Sequence, residues 1–315
     1  MRVSIGTAGV LGLVRVPMAV APRTAYLMVG ERCVMNCAFC AQARESKSDG
    51  DALSRVTWPE FRLRRVVVHL RKAEREGVVQ RCCIQVTASQ ESYREALRAI
   101  RQVRRSVSMP LSVAILPANM AQVEELIEVG VDRVGFGLDA AVERVFAAVK
   151  GPHWRHMLDL IATTAERFPQ IATVHLIVGL GETEHEMIER ILWAQELKLG
   201  VGLFAFTPVR GTPMADGKQP LLRNYRRMQA ARWLILNHGA GMANFRFTRQ
   251  GTLQALDLDG WREALASGEA FQTPGCPGCN RPFYNERPGG TMYNYPRPLT
   301  GTEVAEAIRA MELGE

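Results

Sequence analysis

The chain has 315 residues, 47% of them hydrophobic and 23% charged, and its 39 Lys and Arg against 32 Asp and Glu leave a net charge of +7. That balance excludes the disordered, low-complexity and collagen-like classes and suits a globular protein with one large core. The basic residues include local runs at Arg62, Arg64, Arg65, Arg71 and Lys72 and at Arg101, Arg104 and Arg105, which read either as solvated helix faces or as a surface for an acidic protein or RNA.

From the N-terminus, Val10 to Val14 is apolar, but Gly12 interrupts it and Arg15 and Pro17 follow. Neither a secretory leader nor a membrane span is expected, and a cytoplasmic location follows. Strand-length apolar runs then alternate with helix-length amphipathic stretches. The strand candidates are Tyr26–Val29, Cys82–Thr87, Leu111–Ile115, Arg133–Gly137, Thr173–Val178, Leu203–Thr207, Phe245–Thr248 and Ala270–Thr273. Between them fall helix patterns over Trp58–Glu76, Tyr93–Arg105, Met120–Val129, His153–Arg167, Glu184–Lys198 and Arg223–Asn237, with a short one at Trp261–Ala266. Thr57 with Glu60, and Thr183 with Glu186, have the spacing of capping boxes. Eight strands in βα alternation predict an α/β fold, a (βα)8 TIM-type barrel over 24–275, with an N-terminal extension over 1–23. The remaining segment, 276–315, is read as a cysteine-containing extension, irregular through Pro277, Gly278, Pro282, Pro288, Gly289, Gly290, Pro296 and Pro298.

Seven cysteines, an odd number, fall as a triplet, an adjacent pair and a C-x2-C, which looks like metal ligation in a reducing compartment rather than a disulfide framework. The triplet Cys33, Cys37 and Cys40 is spaced C-x3-C-x2-C directly after the first strand, at the end of a barrel where catalytic loops gather. Three thiolates in so short a loop suit an iron–sulfur cubane with one open iron better than a structural zinc, which closes with four ligands. Phe39 adds an apolar face beside it. Cys276 and Cys279 have the bite for two ligands of a second metal group, and one or both of Cys82 and Cys83 could complete it. A second iron–sulfur cluster, a zinc knuckle and unmetallated thiols are the alternatives. The run His175 to Thr183 ends a strand in Gly179 and Gly181 before a helix cap, and Phe206 to Pro213 turns tightly after another strand; both suit close approach of a ligand to backbone or are simple turn chemistry. His175 itself reads as a core histidine or as a ligand.

The triplet, the Val178 to Thr183 run and the Val209 to Asp216 run together resemble the biotin synthase branch of the radical S-adenosylmethionine (radical SAM) enzymes, over about Thr24 to Thr273. The resemblance implies that Cys33, Cys37 and Cys40 hold a [4Fe–4S] cluster with SAM on its open iron, and that Phe39, Ile177, Gly179, Glu182 and Val209 form the SAM site. It departs from biotin synthase where that enzyme's inner cluster would sit: only Cys83 matches a ligand, and Ser112 and Thr173 occupy two other ligand positions. The tail from Gln272 to Gly290 is similar to that of the two-protein lipoyl synthases, paired radical SAM proteins that insert sulfur into an octanoyl chain. That likeness implies thiolation at C6 or C8 of an octanoyl-lysine, with sulfur from a second [4Fe–4S] cluster on Cys276, Cys279 and Cys82 or Cys83. It implies as partners an octanoylated lipoyl carrier protein or H-protein, a second radical SAM protein, and ferredoxin or flavodoxin as electron donor, with no membrane and no nucleic acid. The rival readings are a maturase or rearrangement enzyme on a small molecule, an iron–sulfur carrier, and a tRNA-thiolating enzyme.

Overall fold

A computed structural model describes residues 1–286 and 289–314; Arg287 and Pro288 of the proline-rich tail lie outside the described residues. In chain order the elements are β1 (Arg2–Val3), α1 (Ile5–Val10), β2 (Thr24–Val29), β3 (Ala52–Leu53), β4 (Val56–Thr57), α2 (Leu63–Arg75), β5 (Arg81–Val86), α3 (Gln90–Arg104), β6 (Leu111–Ala114) and α4 (Met120–Glu128). They continue with β7 (Arg133–Asp139), α5 (Glu143–Val149), α6 (Trp154–Arg167), β8 (Ala172–Val178), α7 (Glu184–Glu196), β9 (Gly200–Ala205), α8 (Leu222–His238), β10 (Phe245–Phe247), β11 (Leu253–Leu256), α9 (Trp261–Leu265) and α10 (Gly301–Arg309).

Seven strands form one sheet in the order β1-β2-β5-β6-β7-β8-β9, parallel throughout except for β1, which runs antiparallel to β2. The α/β class and the barrel-type alternation are as the sequence predicts, but the count of eight is corrected. Phe245–Thr248 pairs antiparallel with β11 in a separate hairpin, and Ala270–Thr273 holds a 3-10 turn at Glu269–Phe271 in place of a strand. The predicted helix over Trp58–Glu76 starts only at Leu63, and the Thr57–Glu60 box does not form because Thr57 is the end of β4. The second box does form: the Thr183 hydroxyl accepts from the Glu186 N–H, and the Glu186 carboxylate accepts from the Thr183 N–H. The arginine runs prove to be outer faces of α2 and α3, with Arg62, Arg64, Arg65, Arg71, Lys72, Arg101 and Arg105 exposed, while Arg104 clamps a loop through Gly130 O at 2.9 Å.

Strand alternation sorts side chains into two layers. In β5, Cys82 and Ile84 point out toward the helices and are fully buried, each such apolar residue contributing on the order of 1–3 kcal/mol. Cys83 and Gln85 point to the interior, and Cys83 is in register with Tyr26 on β2 and Ser112 on β6. The tail bridges the first and last parallel strands. The Arg281 N–H donates to the Tyr26 hydroxyl (3.0 Å), and at the other edge Asn285 Nδ2 donates to Ala205 O (2.8 Å) while its Oδ1 accepts from Ala205 N (3.4 Å). The β3–β4 hairpin covers the same side: Trp58, Tyr26 and Met28 cluster with Leu53, Val56, Cys83 and Cys279. Arg226 and Gln229 of α8 anchor the tail further, both donating to Tyr293 O, at 2.6 and 3.0 Å.

Candidate active site

A cavity of about 900 Å³ occupies the barrel interior and is lined by residues from β2, β5, β6, β7, β8 and β9, the β3–β4 hairpin and the tail. Cys33, Cys37 and Cys40 line it in the loop after β2. Backbone bonds shape that loop: Cys33 N–H to Gln42 O (2.9 Å), Ala38 N–H to Val149 O (2.8 Å) and Cys40 N–H to Cys37 O (3.1 Å). The Ala88 N–H donates to Cys33 Sγ at 3.3 Å. A second set of bonds ties the loop to the turn after β9, with the Lys47 N–H donating to Gly211 O (2.7 Å) and the Met214 N–H to Ala38 O (3.1 Å). Gly211 has φ +85°, and a Cβ there would meet the Lys47 carbonyl carbon at 2.6 Å, so the contact admits only glycine.

Burial pushes the Cys37 thiol up to about 12 and Cys40 up to about 11. These thiols therefore stay protonated until a positively charged group claims them as thiolates. Lys150 lies beside them, donating to Asp139 Oδ2 at 2.6 Å and to Gly137 O. Burial pulls Lys150 down, but Asp139 and Cys37 more than offset this and hold it above the ordinary lysine value. Asp139 reaches this place through a β7 bulge and its own φ of +65°.

Cys83, Cys276 and Cys279 line the same cavity further in. Following the last predicted strand would put Cys276 and Cys279 at the mouth of the barrel; instead the tail runs back beside the N-terminal halves of β2 and β5. Cys279 Sγ is 3.3 Å from the Tyr26 hydroxyl, and Arg81 Nε donates to Pro277 O at 3.2 Å. Gln85 Nε2 donates to Cys83 Sγ at 3.0 Å, and Ser112 is in hydrogen-bonding reach of both Cys83 and Cys276. Burial first, then the neighbouring Cys276, pushes the Cys83 thiol up; burial and Cys279 do the same to Cys276. Cys82 takes no part: it faces the helix-side core, where burial pushes its thiol up to about 12. Among the described residues no three His, Cys, Asp or Glu side chains close on a point fit for a single metal ion. A cluster spreads its ligands over separate irons and asks for a wider triangle, and two sets of three thiols with N–H and O–H donors on sulfur have the chemistry to hold one each.

Phe39, Ile177 and Val209 line the cavity; Gly179 and Glu182 do not. Glu182 instead braces its own turn, accepting from the Gly179 N–H (2.6 Å) and the Leu180 N–H (3.0 Å), with its carboxyl raised by burial against those bonds. His175 lines the cavity between glycines on both neighbouring strands, since a Cβ at Gly135 or Gly202 would come within 3.0 or 3.1 Å of its ring. Burial, then Arg281, lowers it to about 4, so it is a neutral imidazole. The sequence reading missed Tyr26, Asp139, Lys150, Phe204, Arg281 and Tyr284 as cavity residues. Alternation along β9 could have found Phe204; nothing local marks Arg281 and Tyr284, whose depth depends on the path of the tail.

Among solved structures, the [FeFe]-hydrogenase maturase HydG from Carboxydothermus hydrogenoformans is similar at TM-score 0.55 and 16% identity, over 69% of this chain and 52% of that one. Methylornithine synthase (PylB) is similar at TM-score 0.52 and 11% identity, over 66% of this chain and 62% of that one. These likenesses concern the fold. The biotin synthase of Sulfurihydrogenibium sp. (strain YO3AOP1) is 24% identical over 191 residues, covering 58% of this chain and 54% of that protein. That of Persephonella marina is 26% identical over 192 residues, covering 59% and 55%. The chain thus spans about half the length of the biotin synthases it matches. The profile of the radical SAM superfamily matches residues 27–194, from β2 into α7, and the chain belongs to that superfamily, whose chemistry implies a [4Fe–4S] cluster and SAM.

Proposed function

We propose that this protein is a sulfur-inserting radical SAM enzyme, one component of a lipoyl synthase pair, acting at C6 or C8 of an octanoyl-lysine on a lipoyl carrier protein or H-protein. The observation that carries the reading is one cavity with three thiols at its mouth, Cys33, Cys37 and Cys40, and three deeper in, Cys83, Cys276 and Cys279. In this reading the first set holds the SAM cluster and the second a sulfur-donating [4Fe–4S] cluster, with Cys82 excluded by its orientation. When bound, the first group supplies a 5′-deoxyadenosyl radical able to take hydrogen from an unactivated C–H bond, and the second supplies sulfur.

The chain's own residues do the positioning. Phe39, Ile177 and Val209 give the mouth an apolar wall for adenosine, and Lys150 places positive charge beside the thiolates of Cys37 and Cys40. Gln85, Tyr26 and Ser112 offer donors to the inner sulfurs, and the tail with Trp58 keeps water from the open side of the sheet. Ferredoxin or flavodoxin would deliver the electron, and a second radical SAM protein would add the other sulfur.

The test is anaerobic: reconstitute the protein, count iron and sulfide, then add SAM, reductant and an octanoyl-lysine peptide, following deoxyadenosine and product mass together. About eight irons and a mass gain of one sulfur are expected. About four irons, with deoxyadenosine formed and no sulfur gained, would sink the reading. A second reading, a maturase or rearrangement enzyme on a small molecule, is favoured by the polar side chains of His175, Arg281 and Tyr284 around Phe204, which a saturated chain does not need.

A further inference from the structure

Around Phe204 the cavity wall carries polar side chains whose hydrogen-bonding atoms are only partly used. Phe204 is the centre of this patch: the Arg281 guanidinium carbon lies 3.8 Å over its ring centroid, and the His175 and Tyr284 rings meet it edge-on at 5.4 and 5.6 Å. All four side chains line the cavity. Arg281 spends one of its five donors on Pro274 O (2.7 Å), and its Nε is buried with no hydrogen-bond partner. Among the described residues no carboxylate pairs with Arg281, and neither the Tyr284 hydroxyl nor a ring nitrogen of His175 makes a hydrogen bond. The acids nearby are engaged: Asp139 holds Lys150, and Glu286 accepts from the Asn285 N–H (3.1 Å) and the Asn294 N–H (2.6 Å).

The half-buried guanidinium of Arg281 has no carboxylate partner, and stacking on an aromatic ring leaves its remaining N–H donors unspent. The favourable completion is an anion that comes with the ligand, taking the free edge of Arg281, the phenol of Tyr284 and an imidazole N–H of His175.

We infer that Arg281, Tyr284 and His175 form an anion-accepting subsite around Phe204 that receives a negatively charged group of the substrate in the cavity that both thiol sets line. Two sources of that charge are compatible with the cavity. One is the carboxylate of a free medium-chain acid. The other is the thiolate of an acyl chain that already carries one sulfur; only this second source rests on the lipoyl reading, and it would make this chain the later-acting member of the pair.

Binding to the cluster-reconstituted protein tests the subsite without turnover. The probes are octanoate, octanamide and 8-mercaptooctanamide at a pH above the thiol's own pKa, measured by calorimetry. Binding of octanoate or of the mercaptoamide at least tenfold tighter than octanamide, with SAM present to occupy the open iron, supports the subsite, and which of the two is preferred identifies the source. Arg281→Met should abolish that preference, and Tyr284→Phe should reduce it severalfold with the fold and iron content unchanged. Equal affinities for all three probes would overturn the proposal. So would a preference that survives in Arg281→Met, or one that Arg281→Met loses only together with iron while Tyr284→Phe leaves it intact, since Arg281 would then serve the inner cluster two residues after Cys279. Sulfur insertion is not measured here, so the lipoyl reading can fail while the subsite stands, and the reverse.

Discussion

Cys82 and Cys83 differ by one position along β5 and by a whole layer of the molecule, because side chains alternate across a strand. Substitution should separate them cleanly. Cys83→Ala should lower the iron of the reconstituted protein by roughly four atoms. Cys82→Ala should leave iron unchanged and cost about 1 kcal/mol of stability through a small core cavity. Iron analysis with urea melts on both variants checks this, and equal iron loss from the two would refute the assignment of Cys83. His175 carries a second consequence at this scale. Burial lowers its folded pKa to about 4 from the ordinary 6.5, so the unfolded chain binds a proton that the folded chain refuses. Its contribution makes stability fall as pH drops from about 6.5 to 4, by up to about 3 kcal/mol. His175→Phe should flatten that part of the stability profile relative to the parent, and an unchanged slope would show that the ring is solvated and titrates normally.

Two contacts between elements hold the cavity walls together. Gly211 lets the turn after β9 touch the cysteine loop, and Gly211→Ala meets both a left-handed backbone and a 2.6 Å clash, at a cost of roughly 2–3 kcal/mol. Because the strain falls on Lys47 and Ser48, a lowered yield of the SAM-binding cluster should accompany the lowered melting temperature; loss of stability with full loading would separate the turn from the site. Asn285 extends the sheet edge with a side chain in place of a strand, and Asn285→Ala should cost about 1–3 kcal/mol in urea by orphaning the Ala205 N–H, while the Ala205 C=O keeps the Thr207 hydroxyl at 3.2 Å. Such contacts explain which elements were legible. The six parallel strands were, because their apolar runs and the helices between them carry their own periodicity, and α7 was fixed further by its capping box. Phe245–Thr248 has the same local signal as a barrel strand, and only the antiparallel partner β11 diverts it. Thr57 and Glu60 have capping-box spacing, yet the hairpin with β3 claims Thr57 first. Thr300 with Glu303 was an unused box that does open α10. In the site, the cysteine spacings were readable; the depth of Cys276, Cys279, Arg281 and Tyr284 was not, because it depends on where an irregular tail returns.

At the scale of the whole molecule the excess of seven positive charges is spread unevenly. Arg64, Arg98, Arg101 and Arg105 line one surface depression on α2 and α3, where Arg98 and Arg101 are paired with Glu91 and Glu125. Arg64 and Arg105 have no ion-pair partner among the described residues, so the face keeps net positive potential. Exposed pairs and isolated surface charges add little to stability, and their larger effect is on the rate at which an oppositely charged partner arrives. The proposed partner, an acidic carrier domain, would be steered by this field, whereas a short neutral octanoyl-lysine peptide would not. Raising ionic strength from about 0.1 M to 1 M shortens the screening length from about 10 Å to about 3 Å. Over that range kcat/KM for the octanoylated carrier domain should fall about tenfold, while kcat/KM for the peptide changes less than twofold. Reversing the face with Arg64→Glu and Arg105→Glu should reproduce the loss for the carrier alone at low salt. A carrier rate indifferent to both salt and these substitutions would mean that the carrier docks elsewhere and that the arginines serve only to keep α2 and α3 hydrated.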